Sequence, residues 1–209
     1  MSNFTLKHYT KTIENYLRLD YKFSTANNSF NSHKKQIYLA HDIDMDTSLV
    51  SKMSLAEDLA GVKSTYYFRV RSRNYNILSQ ENIFLMQSLV DRGHGVGLHY
   101  EPRPGFVSKE LDYENDICKL LEFLSYSTDL NFNIFNIHEP SRTGIDLSKI
   151  LVEKNRCYNS PFFEGFKYLS DSGARWREGC FSEHLGKWEK MLVLTHPFWW
   201  YDKSPGENY

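Results

Sequence analysis

The sequence is short of cysteine, of net charge and of long apolar runs. Its three cysteines, Cys118, Cys157 and Cys180, are an odd number without regular spacing. That excludes a disulfide framework and a zinc knuckle, and it favours a reducing compartment. A formal net charge of -1 leaves no field to hold nucleic acid or an anionic membrane. No apolar run approaches the length that crosses a bilayer. Residues 1–20 carry charges throughout and lack an apolar core, so no secretory leader is expected. A cytoplasmic protein without an integral membrane segment is the expectation. Internal repeats, low-complexity segments and linkers are absent too, so residues 1–209 read as a single domain with a core large enough to fold alone. Aromatic residues are plentiful, at 15%. They suit a planar-faced ligand such as a carbohydrate, and they suit an ordinary core equally.

The chain is organised around residues 36–44. Ile37, Tyr38, Leu39 and Ala40 form an apolar run that need not alternate, as expected of a parallel strand covered on both faces. His41, Asp42 and Asp44 follow at its C-terminal end, which is where ligands sit in open α/β sheets and barrels. Asp42 and Asp44 are two apart, so in an extended chain they point the same way. Like charges facing each other require a cation between them or a proton on one. Asp46-Thr47 reads as a cap for the helix that follows.

Helical spacing of Leu6, Tyr9, Ile13, Tyr16 and Leu17 predicts a first helix over 4–19, and residues 21–35 read as a polar loop. After the strand at 36–41, Leu49, Met53, Ala56, Leu59 and Ala60 mark a helix face ended by Gly61. Residues 64–70 are β-branched and aromatic, hence a strand. Ile83, Phe84, Met86, Leu89 and Val90 mark a helix stopped by Gly93. A strand at 96–100, a long helix over 111–124 and a strand at 133–138 follow. A short helix near 147–152, two short strands within 156–171, a helix over 183–190 and a strand at 191–196 complete the reading. Strands alternating with helices argue for an α/β fold with a parallel sheet or barrel spanning 36–200.

Parallel strands bring Asp42, Asp44, His99, His138, Asp171 and His196 to one rim. A single histidine at a strand end is usually a hydrogen-bonded packing residue. Several at successive strand ends are harder to explain by packing. One aspartate with two neutral imidazoles is also a zinc set with a position open for water. Arg69 and Arg71 lie two apart at a strand end, where they can clamp a substrate carboxylate or phosphate, or pair with Glu101 or another rim acid. Trp176, Trp199 and Trp200 can stack on a sugar ring, although core packing is the commoner fate of tryptophan. His8, His33 and His184 lie in polar surroundings and read as surface residues.

The ordered motifs His41-Asp42-Ile43-Asp44, Gly93 to His99, His138-Glu139-Pro140-Ser141, Asp171 to Trp176 and Leu194 to Trp200 resemble those of the polysaccharide deacetylase family. This is the NodB-like family, or carbohydrate esterase family four. The first motif is similar to that of the divergent His-Asp-x-Asp branch associated with surface-polysaccharide biosynthesis. The resemblance implies a distorted (β/α)7 barrel and metal-dependent removal of an acyl group from an amide on a sugar. It assigns Asp42 as general base, Asp44 and His99 as metal ligands, His196 as general acid and Asp171 as the residue that tunes it. His94 then reads as structural. The family's further ligand is a histidine four residues after the first, where this chain has Arg103. His138 is expected to fill that vacancy.

The implied cofactor is a divalent metal, zinc in the first instance. The expected substrate is an acylated sugar, nucleotide sugar or glycan in polysaccharide or lipopolysaccharide biosynthesis. A deformylase or amidase acting on a related anionic sugar needs the same metal, base and acid. A metal-free carbohydrate-binding or assembly protein on a retired scaffold is the non-enzymatic alternative.

Overall fold

Strand β2, Gln36–Ile43, is buried at all eight positions, and the sheet is built outward from it. A computed structural model of the chain describes residues 4–26, 33–102, 110–142, 146, 149–158 and 160–202. Among these, seven strands form one parallel sheet: β1 (Lys22–Ser24), β2, β3 (Thr65–Arg69), β4 (Gly95–Tyr100), β5 (Phe135–Ile137), β6 (Lys167–Ser170) and β7 (Lys190–Thr195). The order is β5-β4-β3-β2-β7-β6. β7 lies along one edge of β2, from Gln36 to His41. The other edge is shared: β1 pairs with Gln36–Tyr38 and β3 with Ala40–Ile43. The sheet curls into a half-barrel with helices against its outside, the distorted NodB-like α/β barrel.

Alternation along each strand sorts the core. Ile37 and Leu39 face outward with Tyr9, Ile13 and Tyr16 of helix α1 (Leu6–Arg18). Phe68, Leu98 and Phe135 face outward with Met86 and Leu89 of α3 (Gln80–Asp91) and with Ile117 and Leu121 of α4 (Glu110–Thr128). Tyr38, Ala40, Tyr67, Ile134 and Leu192 face the interior. A Cβ at Gly97 would lie 2.7 Å from the Tyr67 ring, so only glycine lets β4 approach β3's interior side chain this closely.

Several expectations are corrected. β1 lies inside the stretch read as loop; three half-polar residues are too few to show a period. Helix α2 (Val50–Leu59) buries Val50, Met53, Ser54 and Glu57, while Leu59 is 81% exposed, so its buried face is not its most apolar one. Residues 149–154 make turns instead of a helix, with Leu151 at φ +39; residues 147 and 148 lie outside the described residues. Among the described residues between 156 and 171 only β6 is a strand, and Pro161–Phe163 forms a 3-10 turn. Phe181–His184 is likewise a 3-10 turn, and Gly186 at φ +72 turns the chain before β7.

Candidate active site

The interior-facing positions of successive strands end in polar side chains on one rim. Arg69 pairs across the sheet with His99, and His99 with Asn136. Asp42 stands one step beyond the pairing of His41 with Thr195, which sets His196 beside it. Asp44 and His138 lie two residues past Asp42 and Asn136 in the same alternation. A cavity of about 760 Å³ opens over this rim, lined by Asp42, Asp44, His99, Asn136, His138 and His196 among others.

Asp44, His99 and His138, expected to hold a metal, come together. His99 Nε2 is 3.1 Å and His138 Nδ1 3.2 Å from Asp44 Oδ1, and the two ring nitrogens are 3.1 Å apart. Three donors in such a triangle fit one face of a site with bonds of about 2.0–2.2 Å to the ion. Asp44 Oδ1 is buried without a hydrogen-bond partner. His99 Nδ1 donates to Asn136 Oδ1 at 2.6 Å, so a neutral His99 turns the lone pair of Nε2 toward that oxygen. Facing lone pairs call for a proton or a cation between them. Burial alone would lower the pKa of His99, but Asp42 and Asp44 raise it above its usual value. Burial would raise the Asp44 carboxyl, yet His138, His99 and His196 hold it far below the ordinary carboxylate range. The same negative field that keeps a proton on His99 favours a divalent cation in its place. The donor set therefore fits the implied metal.

Asp42 and His196 flank the triangle. Asp42 Oδ1 accepts from Asn136 Nδ2 at 2.6 Å, and Asp42 Oδ2 lies 3.7 Å from His99 Nε2. His196 Nδ1 donates to Asp171 Oδ1 at 2.6 Å, and its Nε2 is 3.5 Å from Asp44 Oδ2. Asp171 is fully buried; its second oxygen accepts from the His196 backbone N–H and from Trp200 Nε1, at 3.2 and 2.8 Å. Burial lowers the pKa of His196, but the Asp171 carboxylate outweighs it, and the ring is pushed up to about 9.

Other expectations fare differently. Arg69 donates to Glu101 at 2.5 Å; Arg71 donates to the Glu101 carbonyl and pairs with Asp116 at 3.3 Å. Ion pairing, the alternative to anion capture, is the arrangement observed, and neither arginine lines the cavity. Trp176 lines it, but its ring is buried against Phe181. Trp199 packs on Phe198 and does not line it. His184 is buried, with Nε2 donating to the Glu178 carbonyl, because Trp188 folds over it. Arg103 lies outside the described residues. His41 faces away from the rim: its Nε2 is 2.7 Å from Glu57 and its Nδ1 2.7 Å from Thr195 Oγ1. Sequence reasoning missed Asn136, which bridges Asp42 and His99. The available signal was its place two residues before His138, on the same strand face.

No family model and no curated protein sequence matches this chain. Solved structures do. The catalytic domain of a peptidoglycan N-acetylglucosamine deacetylase from Eubacterium rectale superposes with a TM-score of 0.54 at 14% identity, over 83% of this chain and 82% of the other. A polysaccharide deacetylase from Bacillus cereus gives 0.54 at 13% identity, over 78% and 79%. The fold is that of the CE4 polysaccharide deacetylases. CE4 chains of the same shape include a mutant of a pseudoenzyme with restored enzymatic activity, with a TM-score of 0.54 at 17% identity. This chain spans 58% of that protein's length, and 80% of this chain is covered. At such identities the likeness concerns the fold. Among the described residues no helix is long and apolar enough to cross a membrane.

Proposed function

We propose that this chain is a metal-dependent hydrolase that removes an acyl group from an amide on a sugar. The carrying observation is that Asp42 and His196 flank the triangle of Asp44, His99 and His138 on one cavity wall. Asp44, His99 and His138 would hold the ion. A bound zinc supplies an acidified water, with its pKa brought toward about 7, and a Lewis acid for the carbonyl. Asp42 accepts the proton of the attacking water; the hydrogen bond from Asn136 fixes its orientation. Asn136 also keeps His99 in the Nδ1-protonated tautomer, which frees Nε2 to ligate. His196, protonated at neutral pH and anchored by Asp171, donates from Nε2 to the leaving amine. Without that proton the C–N bond does not break.

The reading extends to an acetylated glycan or nucleotide sugar in polysaccharide or lipopolysaccharide biosynthesis, in the cytoplasm. One feature favours a non-enzymatic reading, a metal-free carbohydrate-binding or assembly protein. Arg103 stands where the family's second histidine is expected, and the CE4 fold includes a pseudoenzyme. Metal analysis of the purified protein, with acetate release from N-acetylated glycans before and after chelation, separates the two. About one equivalent of divalent metal with chelator-sensitive release supports the hydrolase. Protein that binds no metal and releases no acid from any substrate sinks it.

A further inference from the structure

Away from the metal triangle, the cavity wall changes character. The segment after β6 contributes Arg175, Trp176 and Arg177 to it, and Tyr168 of β6 lines it together with Tyr158. Trp176 is buried against Phe181 and anchors the segment, while Arg175 and Arg177 on either side of it are exposed. The cavity's third arginine is already engaged: Arg156 lies 3.6 Å over the Phe162 ring and donates to the carbonyls of Glu153 and Asn155. Glu178, the acid on the same wall, pairs with Lys167. Among the described residues no ion pair or hydrogen bond ties down the side chains of Arg175 or Arg177. Tyr158 is 41% exposed and stacks on Tyr168 with ring centroids 4.7 Å apart, so one aromatic face is presented with its partner already fixed behind it.

We infer that this end of the cavity binds the anionic group of an acidic or phosphorylated amido sugar, with Arg175 and Arg177 reading the oxyanion. Guanidinium groups match carboxylate and phosphate oxygens in a bidentate fashion. Two of them on an anchored turn, with the neighbouring Glu178 taken up by Lys167, leave an oxyanion as the ligand that completes the wall. The sugar ring lies against the Tyr158–Tyr168 pair, and its amide reaches the metal triangle. Arg69 and Arg71, engaged with Glu101 and Asp116, take no part. The inference rests on the amide-hydrolase reading for the position of the amide, and on the free arginines for the anion.

The two parts separate experimentally. Calorimetric titration of the purified chain would use N-acetylglucosamine, N-acetylglucosamine 1-phosphate and N-acetylmuramic acid as probes. One or both anionic probes should bind at least about tenfold tighter than the neutral sugar. That preference should disappear in Arg175→Gln/Arg177→Gln and weaken as salt is raised. Phosphate and carboxylate sources are told apart by which probe gains. The single variants serve if the double variant melts early. Equal affinity for all three probes, a preference that survives in the double variant, or no binding of any probe overturns the inference. Acetate release from the same probes reports on the hydrolase reading alone: tight, arginine-dependent binding without release keeps the anion site and removes the reaction.

Discussion

Asn136 shows how one neutral side chain can set the roles of two charged ones. Its carboxamide offers an acceptor to His99 and a donor to Asp42, each at 2.6 Å, and in the proposed reaction this sets His99 as ligand and Asp42 as base. That division is testable. Asp42→Asn should keep bound metal near one equivalent by elemental analysis and lower kcat about 10²–10⁴-fold, the usual contribution of a general base. Asp44→Asn should lose the metal itself; loss of metal from both variants would mean that the two carboxylates share the ion. Asp171 offers a second test. Burial lowers the pKa of His196 and Asp171 raises it, to a net value of about 9. As the proposed acid, His196 acts when protonated, so activity should be retained below that pH and decline as pH rises through it. Asp171→Asn removes the leading cause of the rise, so the alkaline limb should move to lower pH. A limb that stays in place would assign it to another group. Asp42, Asp44, His99, His138 and His196 were legible in the sequence because ionisable groups rarely collect at successive strand ends. Asn136 was not, because an amide within a strand carries no such signal. For Arg69 and Arg71 the sequence left anion capture and ion pairing both open, because spacing fixes a direction but not a partner; pairing with Glu101 and Asp116 is the arrangement found.

At the scale of elements, the longer strands β2, β3, β4 and β7 and the helices α1, α3 and α4 were read from period, while β1 and the region before β6 were not. Helix α2 was located but its face was not. Hydrophobic spacing selected Leu59, yet the helix turns Glu57 inward to a fully buried position. There Glu57 accepts from Tyr9 at 2.5 Å and from His41, Ser64 and Tyr66 at 2.7 Å. Burial and the Glu57 charge push both phenols well above their usual pKa, so they remain donors. Four donors around one carboxylate outweigh the apolar stripe. Through His41 the network also reaches Thr195, which lies next to His196. Glu57→Leu strands all four donors and should cost about 3–5 kcal/mol in denaturant unfolding at pH 7. Glu57→Gln keeps the shape and part of the bonding, and should cost less. Losses below about 1 kcal/mol for both would make the network incidental. The short turns at 161–163 and 181–184 escaped because single 3-10 turns have no period to read.

For the whole molecule, the buried polar groups set an acid limit. His94 is held below 6.5, chiefly by burial. Burial would raise Glu57 and Asp58, but His41 and its hydrogen bonds, and the contacts of Lys63 and Arg92, hold them below 4.5 and 3.8. A depressed folded pKa gives stability above the unfolded value and loses it as pH falls. Melting temperature should therefore drop below pH 6.5 and more steeply below 4.5, with Glu57→Gln showing the shallower second step. A flat profile to pH 4 would contradict this. The pairing of β2 carries a further consequence. With β7 along one edge and β1 and β3 dividing the other, its amides are shielded from every side. They should be among the slowest to exchange with deuterium, released only by global unfolding. Asp42 sits within that strand and Asp44 immediately after it. A chain that opens the strand gives up base and ligand together, so partly folded molecules should be inactive rather than impaired. Destabilising changes far from the rim should then reduce the number of active molecules counted by titration, while each surviving molecule turns over at the parent rate.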